Sequence, residues 1–276
     1  MATKTSVEFV LRPFEGLPGE ADWVALREVV PSATAIVRTR KEYGGRDVVI
    51  ATVLPAGCPA LHRADGMLLV ALQGIPSSGD ASRDVAANLL AGLELELDTP
   101  LIHASIATPG PRLQDVLEPT DAFEVTVHGG FDFWLAPDAD LNAAAKASLD
   151  EANASVVPTV KLSGVPSAYW CRMGAKEFLR WAMPHDEQKL LDALARLHAR
   201  REATLGAGTK LVGAFRSCGI LVPVWDLVPG SEAADIEAPA VAFQTRLEAA
   251  LADDAPLDAN ERRARAGLVS RQLTLR

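Results

Sequence analysis

The chain has 276 residues, 49% apolar and 23% charged side chains and a net charge of −9. It is long enough for one large domain or two small ones, and too apolar to stay disordered. No apolar run approaches the roughly 20 residues of a membrane helix. Residues 1–19 place Glu8, Arg12 and Glu15 where a signal peptide would be apolar, so a cytoplasmic protein without membrane contact is expected.

The charge is uneven. Residues 1–150 carry 21 acidic and 11 basic side chains, and residues 151–276 carry 15 and 16. The first half repels nucleic acid, and only the second could tolerate an anionic partner. Cys58, Cys171 and Cys218 are widely spaced with no paired motif, which argues against a disulfide framework or a structural zinc site. No cofactor, metal or catalytic residue is expected.

In chain order, residues 7–11 read as a strand, and Pro13, Gly16, Pro18 and Gly19 break the chain. Residues 20–30 have helical spacing, with Trp23, Leu26 and Val30 on one face. Strands over 34–38 and 47–54 flank Tyr43-Gly44-Gly45, a hairpin signal. A strand over 67–73 and a loop over 74–79 follow. Residues 85–93 are a helix that Asp80 or Ser82 could cap. Residues 101–106 read as a strand, and 112–117 as a short helix. The alternation of Phe123, Val125 and Val127 predicts a strand, paired through Gly129-Gly130 with another over 131–135. Residues 138–152 are alanine-rich and helical.

A composition shift near 152–166 suggests two packed subdomains, 1–152 and 153–276. Beyond it come strands near Val160 and over 169–173. A helix over 187–204 has Asp186 as its cap and Leu190, Leu194 and Leu197 on its buried face. A buried strand over 220–227 and helices over 239–252 and 260–271 complete the chain. Asp258 and Glu261 have the spacing of a capping box. There is no fixed-period repeat. Clustered strands with hairpin signals point to an α+β fold with mainly antiparallel or mixed sheet and flanking helices.

Several stretches resemble functional motifs and fall short. Gly206-Ala207-Gly208-Thr209-Lys210 inverts the Lys-Thr order of a phosphate loop and lacks the needed glycine spacing, so a helix-ending turn is expected. His128-Gly129-Gly130 resembles an oxyanion segment, but no Gly-x-Ser-x-Gly elbow accompanies it, which leaves a lone exposed histidine. Asp138, Asp140 and Asn142 open like a calcium loop. Ala143 and Leu149 then stand where glycine and a bidentate glutamate are required, so the acidic pair is expected to cap a helix. His185-Asp186 could orient an imidazole, yet no nucleophile pairs with it and capping accounts for Asp186.

Trp170 and Trp181 are candidate partner-binding aromatics, with the core as their alternative place. Arg262, Arg263, Arg265, Arg271 and Arg276 make the last turns basic. Helical spacing puts Arg262 with Arg265 and turns Arg263 aside. Leu268, Val269, Leu273 and Leu275 suggest that this tail docks through apolar packing, with the acidic first half as its expected seat.

The segments 12–27, 178–186, 219–226 and 261–271 resemble an actinobacterial family of unknown function. The likeness extends over nearly the whole chain and supplies no catalytic residue. Some relatives carry an additional N-terminal SecA-type zinc motif, which these residues do not contain; the common region is expected to open at Val7. The expected role is a non-enzymatic interaction or regulatory protein with a protein partner. The alternatives are a small-molecule hydrolase using dispersed residues such as His128, His185 and Asp186, and an RNA- or ribosome-associated factor using the basic tail. Candidate binding residues are Trp170, Trp181, His185, Arg262, Arg263 and Arg265.

Overall fold

The computed structural model describes residues 8–74, 78–104, 109–119 and 122–274, with the backbone alone for 272–274. The chain divides into two compact units, Met1–Val156 and Val157–Arg276. Each has its own six-stranded sheet and helices, an α+β fold.

The first unit begins irregularly. Residues 8–11 form no strand, and Phe9 and Leu11 lie exposed. Val10 donates to the Gly79 carbonyl at 3.0 Å but joins no described ladder, and Val7 lies outside the described residues. Gly19 then turns the chain into α1 (Glu20–Glu28) at a φ of 67°. A Cβ at Gly19 would sit 2.7 Å from the Phe123 Cβ, so only glycine fits. Behind it the Trp23 ring stacks on Phe123 at 4.2 Å.

β1 (Ala33–Arg38) and β2 (Asp47–Ala51) form the expected antiparallel hairpin. β3 (Ala60–His62), β4 (Leu68–Ala71), β5 (Thr99–Leu101) and β6 (Val125–Val127) complete a sheet of order β5-β3-β4-β2-β1-β6, in which β2 and β4 run parallel. α2 (Ala81–Leu93) packs on β3 and β4. Asp80 caps it, accepting from the Ser82 and Arg83 amides at 3.2 and 3.4 Å. α3 (Leu113–Val116) is short. α4 (Ala143–Ala154) buries no side chain, and Asn142 caps it in place of the acidic pair Asp138 and Asp140.

The second expected hairpin is absent. β6 pairs with β1, and residues 132–134 form a 3-10 turn. The aromatics that read as strand residues have another use. Phe131 stacks on Trp134 at 4.5 Å, and the Trp134 indole donates to the Val53 carbonyl at 2.9 Å. Phe133 and Trp134 thereby cover the small core of Ala51, Leu54, Cys58, Leu69 and Ala71. Burial pushes the Cys58 thiol above its ordinary pKa.

The second unit comprises β7 (Thr159–Lys161), β8 (Ala168–Met173), β9 (Lys176–Trp181), α5 (Glu187–Ala199), β10 (Lys210–Ser217), β11 (Ile220–Asp226), α6 (Ala233–Leu251), α7 (Ala259–Ser270) and β12 (Gln272–Thr274). The sheet order is β12-β10-β11-β9-β8-β7. This order contains a repeat that the sequence hides. A hairpin and a helix (β8, β9, α5) recur as β10, β11, α6, and the two hairpins meet through β9 and β11. Met173 pairs with Lys176 across a two-residue turn as Ser217 pairs with Ile220. The same offset carries Arg172 onto Arg216 and Trp181 onto Trp225. The buried residues Leu190, Leu194 and Leu197 of α5 then correspond to Ile236, Ala240 and Phe243 of α6. A longer connection before α6 breaks the period.

The core lies under both helices. Trp181, Trp225 and Phe243 meet with centroids 5.1 to 6.2 Å apart. The Trp225 indole donates to the Ala203 carbonyl at 3.0 Å. Two helix boundaries differ from expectation. α5 stops at Ala199, where Arg201 takes a left-handed φ of 62°. α6 starts six residues before Pro239, which therefore lies inside the helix.

Candidate functional site

α7 is positioned by its first turn and one buried leucine. Asp258 accepts from the Asn260 and Glu261 amides at 2.7 and 2.8 Å, and Glu261 returns a carboxylate oxygen to the Asp258 amide at 2.9 Å. These amide bonds, that of Glu261 foremost, hold the Asp258 carboxyl below the usual carboxylate range. Near the other end Leu268 enters the core. The helix packs on α5, so the tail docks within its own unit. Leu275 and Arg276 lie outside the described residues, as does the Leu273 side chain.

With Leu268 turned inward, Arg262, Arg265, Ala266 and Val269 share a face to one side of it. Together with Asp192, Pro256 and Leu257 they line an open groove of about 750 Å³. Pro256, Leu257, Ala266 and Val269 give it apolar lining, and Val269 is 42% exposed. Its cations are not equivalent. Arg265 is committed, donating to Asp192 on α5 and to Gln188. Arg262 donates to the Leu257 carbonyl, and Arg263, outside the groove lining, to Asn260. Arg271 donates to the Gly267 carbonyl at 2.9 Å. Among the described residues, Arg262, Arg263 and Arg271 make no ion pair with a carboxylate. Arg262 also acts electrostatically on the Asp258 carboxylate without pairing with it.

The other predicted residues lie elsewhere. Trp170 and Trp181 are 2% and 3% exposed, in the core. Neither offers a surface to a partner. The Arg172 guanidinium lies over the Trp170 ring at 5.0 Å. His185 lies at the surface before α5, off the groove. Desolvation lowers its pKa, and Glu248 opposes the shift. The Asp186 carboxylate accepts from the Lys189 amide at 3.0 Å as the helix cap. His128 is not an exposed turn residue. Its Nε2 shares a hydrogen bond with the Thr34 hydroxyl at 2.8 Å, and its ring packs on Phe133. The 206–210 stretch is a turn but not a helix cap. The Thr209 hydroxyl accepts from the Leu205 amide at 2.8 Å and donates to the Gly206 carbonyl at 2.9 Å.

Sequence reasoning missed Asp192, Leu257 and Ala266, and gave Val269 to the docking of the tail, whereas Val269 lies exposed in the groove. The spacing of Arg262, Arg265, Ala266 and Val269 along one helical face could have found these four lining positions. It also missed a groove of about 540 Å³ in the first unit, lined by Glu42, Tyr43, Arg46, Leu90, Leu93 and Glu94. Arg46 there donates to His62 Nε2 at 3.2 Å, while His62 Nδ1 donates to the Leu95 carbonyl at 2.8 Å.

Among the described residues no group of three or more His, Cys, Asp or Glu could hold a metal ion. No helix of the described residues is long and apolar enough to cross a membrane. No curated protein and no solved structure matches the chain. A family profile does match, over residues 13–276, and by that match the chain belongs to DUF5926, a family of unknown function.

Proposed function

We propose that this is a non-enzymatic interaction protein of the cytoplasm, and that the α5–α7 groove takes a short acidic segment of a protein partner. The observation that carries the reading is the pairing of apolar lining residues with an arginine that makes no ion pair. Leu257, Ala266 and Val269 can bury an apolar side chain, while Arg262 meets a carboxylate beside it. The occupant is therefore a segment with an aliphatic residue flanked by Asp or Glu. The free, buried thiols of Cys58 and Cys171 suit a reducing compartment.

RNA fits this surface less well. The groove lining contains no aromatic ring for base stacking. A hydrolase reading fares worse, because Thr34 engages the His128 ring and the cap engages Asp186.

The test is selection of a randomised 12-residue peptide library on the full-length protein. Enriched peptides should combine acidic and aliphatic residues, and should lose binding at least tenfold with Val269→Glu and severalfold with Arg262→Gln. Enriched peptides insensitive to both substitutions would overturn the proposal. So would a fluorescent 20-nucleotide RNA that binds while no acidic peptide does.

A further inference from the structure

The groove of the first unit holds charges that do not cancel. The turn between β1 and β2 brings Glu42, Tyr43 and Arg46 to it, and the end of α2 brings Leu90, Leu93 and Glu94. Both segments are fixed by buried contacts. The Thr39 hydroxyl donates to the Tyr43 carbonyl at 3.1 Å and accepts from the Arg46 amide at 3.1 Å. A Cβ on Gly92 would lie 3.0 Å from Leu68 Cδ1 and 3.1 Å from the Ala60 Cβ, so the end of α2 rests closely on β3 and β4. His62, 7% exposed, orients the guanidinium. Its Nδ1 meets a carbonyl, which only accepts, and its Nε2 meets Arg46, which only donates. The imidazole is therefore neutral, with its proton on Nδ1. Arg46 Nη2 also donates to the Gly66 carbonyl at 3.3 Å, which occupies both of its protons. Its Nε and Nη1 have no partner among the described residues. Among those residues Arg46, Glu42 and Glu94 make no ion pair, although all three line the groove. The last turn of α2 has no basic side chain to offset the negative end of its dipole.

We propose that this groove binds a small zwitterion with an apolar body, of the class of an aliphatic amino acid or dipeptide. Its carboxylate meets Arg46. Its ammonium meets Glu94 and Glu42 at the negative end of α2. Its aliphatic side chain lies on Leu90 and Leu93. The signs of the charges select this class. A plain anion would face Glu42 and Glu94 uncompensated, and a plain cation would face Arg46. A ligand that carries both charges matches both. The bond between guanidinium and carboxylate is charge-assisted on each side and is among the strong ones. The groove volume of about 540 Å³ lies within the roughly 300–1,000 Å³ of small-molecule sites, which combine apolar lining with a few placed polar groups. His62 and Gly66 orient Arg46 before a ligand arrives, so less freedom is lost on binding. The site belongs to the first unit and does not depend on the reading of the α5–α7 groove.

The experiment titrates the isotope-labelled full-length protein with L-leucine and with leucyl-leucine and follows its amides by NMR. One or both should shift Gly44, Gly45, Leu93 and Glu94 saturably. Isocaproate lacks the ammonium group of leucine, and isoamylamine lacks its carboxylate. Each should bind about tenfold more weakly than the zwitterion, the worth of one hydrogen bond between charged groups. Arg46→Gln should weaken the zwitterion by a similar factor and leave isoamylamine no weaker. Glu94→Gln, a change at an exposed position, should weaken the zwitterion and leave isocaproate no weaker. The proposal fails if neither zwitterion shifts these amides, or if the singly charged analogues bind as tightly. It fails equally if Arg46→Gln weakens the zwitterion and isoamylamine alike, since Arg46 would then act through the fold and not on the carboxylate.

Discussion

In the second unit a hairpin and helix occur twice, and Trp181, Trp225 and Phe243 pack together in its core. In the first unit β3, β5 and β6 have three residues each, and long stretches belong to no ladder. There, long polar side chains join the pieces. Arg40 donates to the Gln114 and Leu117 carbonyls, Arg63 to those of Phe133 and Leu135, and Gln73 to those of Leu26 and Val30. Arg112 and Gln114 both reach the Pro13 carbonyl. Buried carbonyls outside a ladder still need donors, and a forked side chain can supply two at once. The repeated unit satisfies its backbone mostly within its ladders and leaves its interior to apolar rings. The contrast shows two routes to a specified structure, one through local repetition and one through distant side-chain clamps.

The largest expected effect tests the aromatic route. Trp225→Ala should cost about 3–5 kcal/mol, the range for a large aromatic lost from a core. Calorimetry should show the second unit's melting fall by on the order of 10 °C, and a fall of only a degree or two would mean that the ring cluster is not what holds the repeat together. The matching test of the clamps is Asp80→Ala. The Asp80 carboxylate is fully buried, caps α2 and accepts from Arg112 Nε at 2.8 Å. Its loss removes a cap and leaves Arg112 without its partner, for about 2–3 kcal/mol. Urea unfolding of that variant should show the loss, and an unchanged midpoint would break the comparison.

Legibility from the sequence follows the same division. Several short-range signals were read well in both units, although Asn142 took the cap expected of Asp138 and Asp140. Asp80, Asp186 and the Asp258–Glu261 box cap the helices they precede, and the Tyr43-Gly44-Gly45 turn joins β1 to β2. What failed depends on distant partners. Phe131–Trp134 has strand-like composition, but the Val53 carbonyl and the Ala51 cluster draw it into a turn. β9 and β10 escaped notice because Lys176, Arg180 and Arg216 interrupt their apolar pattern. The repeat escaped because only Arg172, Trp181 and their equivalents survive in the letters. Of the candidate site, the arginine face was visible in helical spacing. Asp192 and Leu257 were not, since they arrive from other segments.

A smaller effect concerns acid. Desolvation, partly opposed by Asp132, lowers the His128 pKa in the folded chain. The unfolded chain therefore binds the proton more readily. The stability that His128 contributes is complete above about pH 6.5, the ordinary histidine value, and is lost as pH falls through its lower folded value. The melting temperature should drop between pH 7.5 and 5.5, and His128→Gln should flatten that drop. His185, lowered likewise by desolvation, acts in the same direction in the second unit. If His128→Gln leaves the pH profile unchanged, the acid sensitivity belongs to other groups.

The smallest effects separate the arginines of α7. An apolar anchor and a set of surface cations predict different outcomes along one helix. Leu268 is in the core, so the helix does not depend on charge for its position. Arg262 and Arg263 donate to neutral oxygens at the surface, and replacing both with Gln should change stability by less than about 0.5 kcal/mol. Arg265 differs, because its guanidinium spans to Asp192 and Gln188 with both ion-pair partners partly shielded. Arg265→Gln should cost about 0.5–1 kcal/mol, at the upper end for exposed pairs. The cost should shrink in 1 M salt, where screening acts within about 3 Å. Thermal unfolding of the two variants at low and high salt makes the distinction. A double variant at Arg262 and Arg263 that destabilises as much as Arg265→Gln would place the whole basic face in the fold, and would remove the arginine without an ion pair on which the groove's partner binding rests.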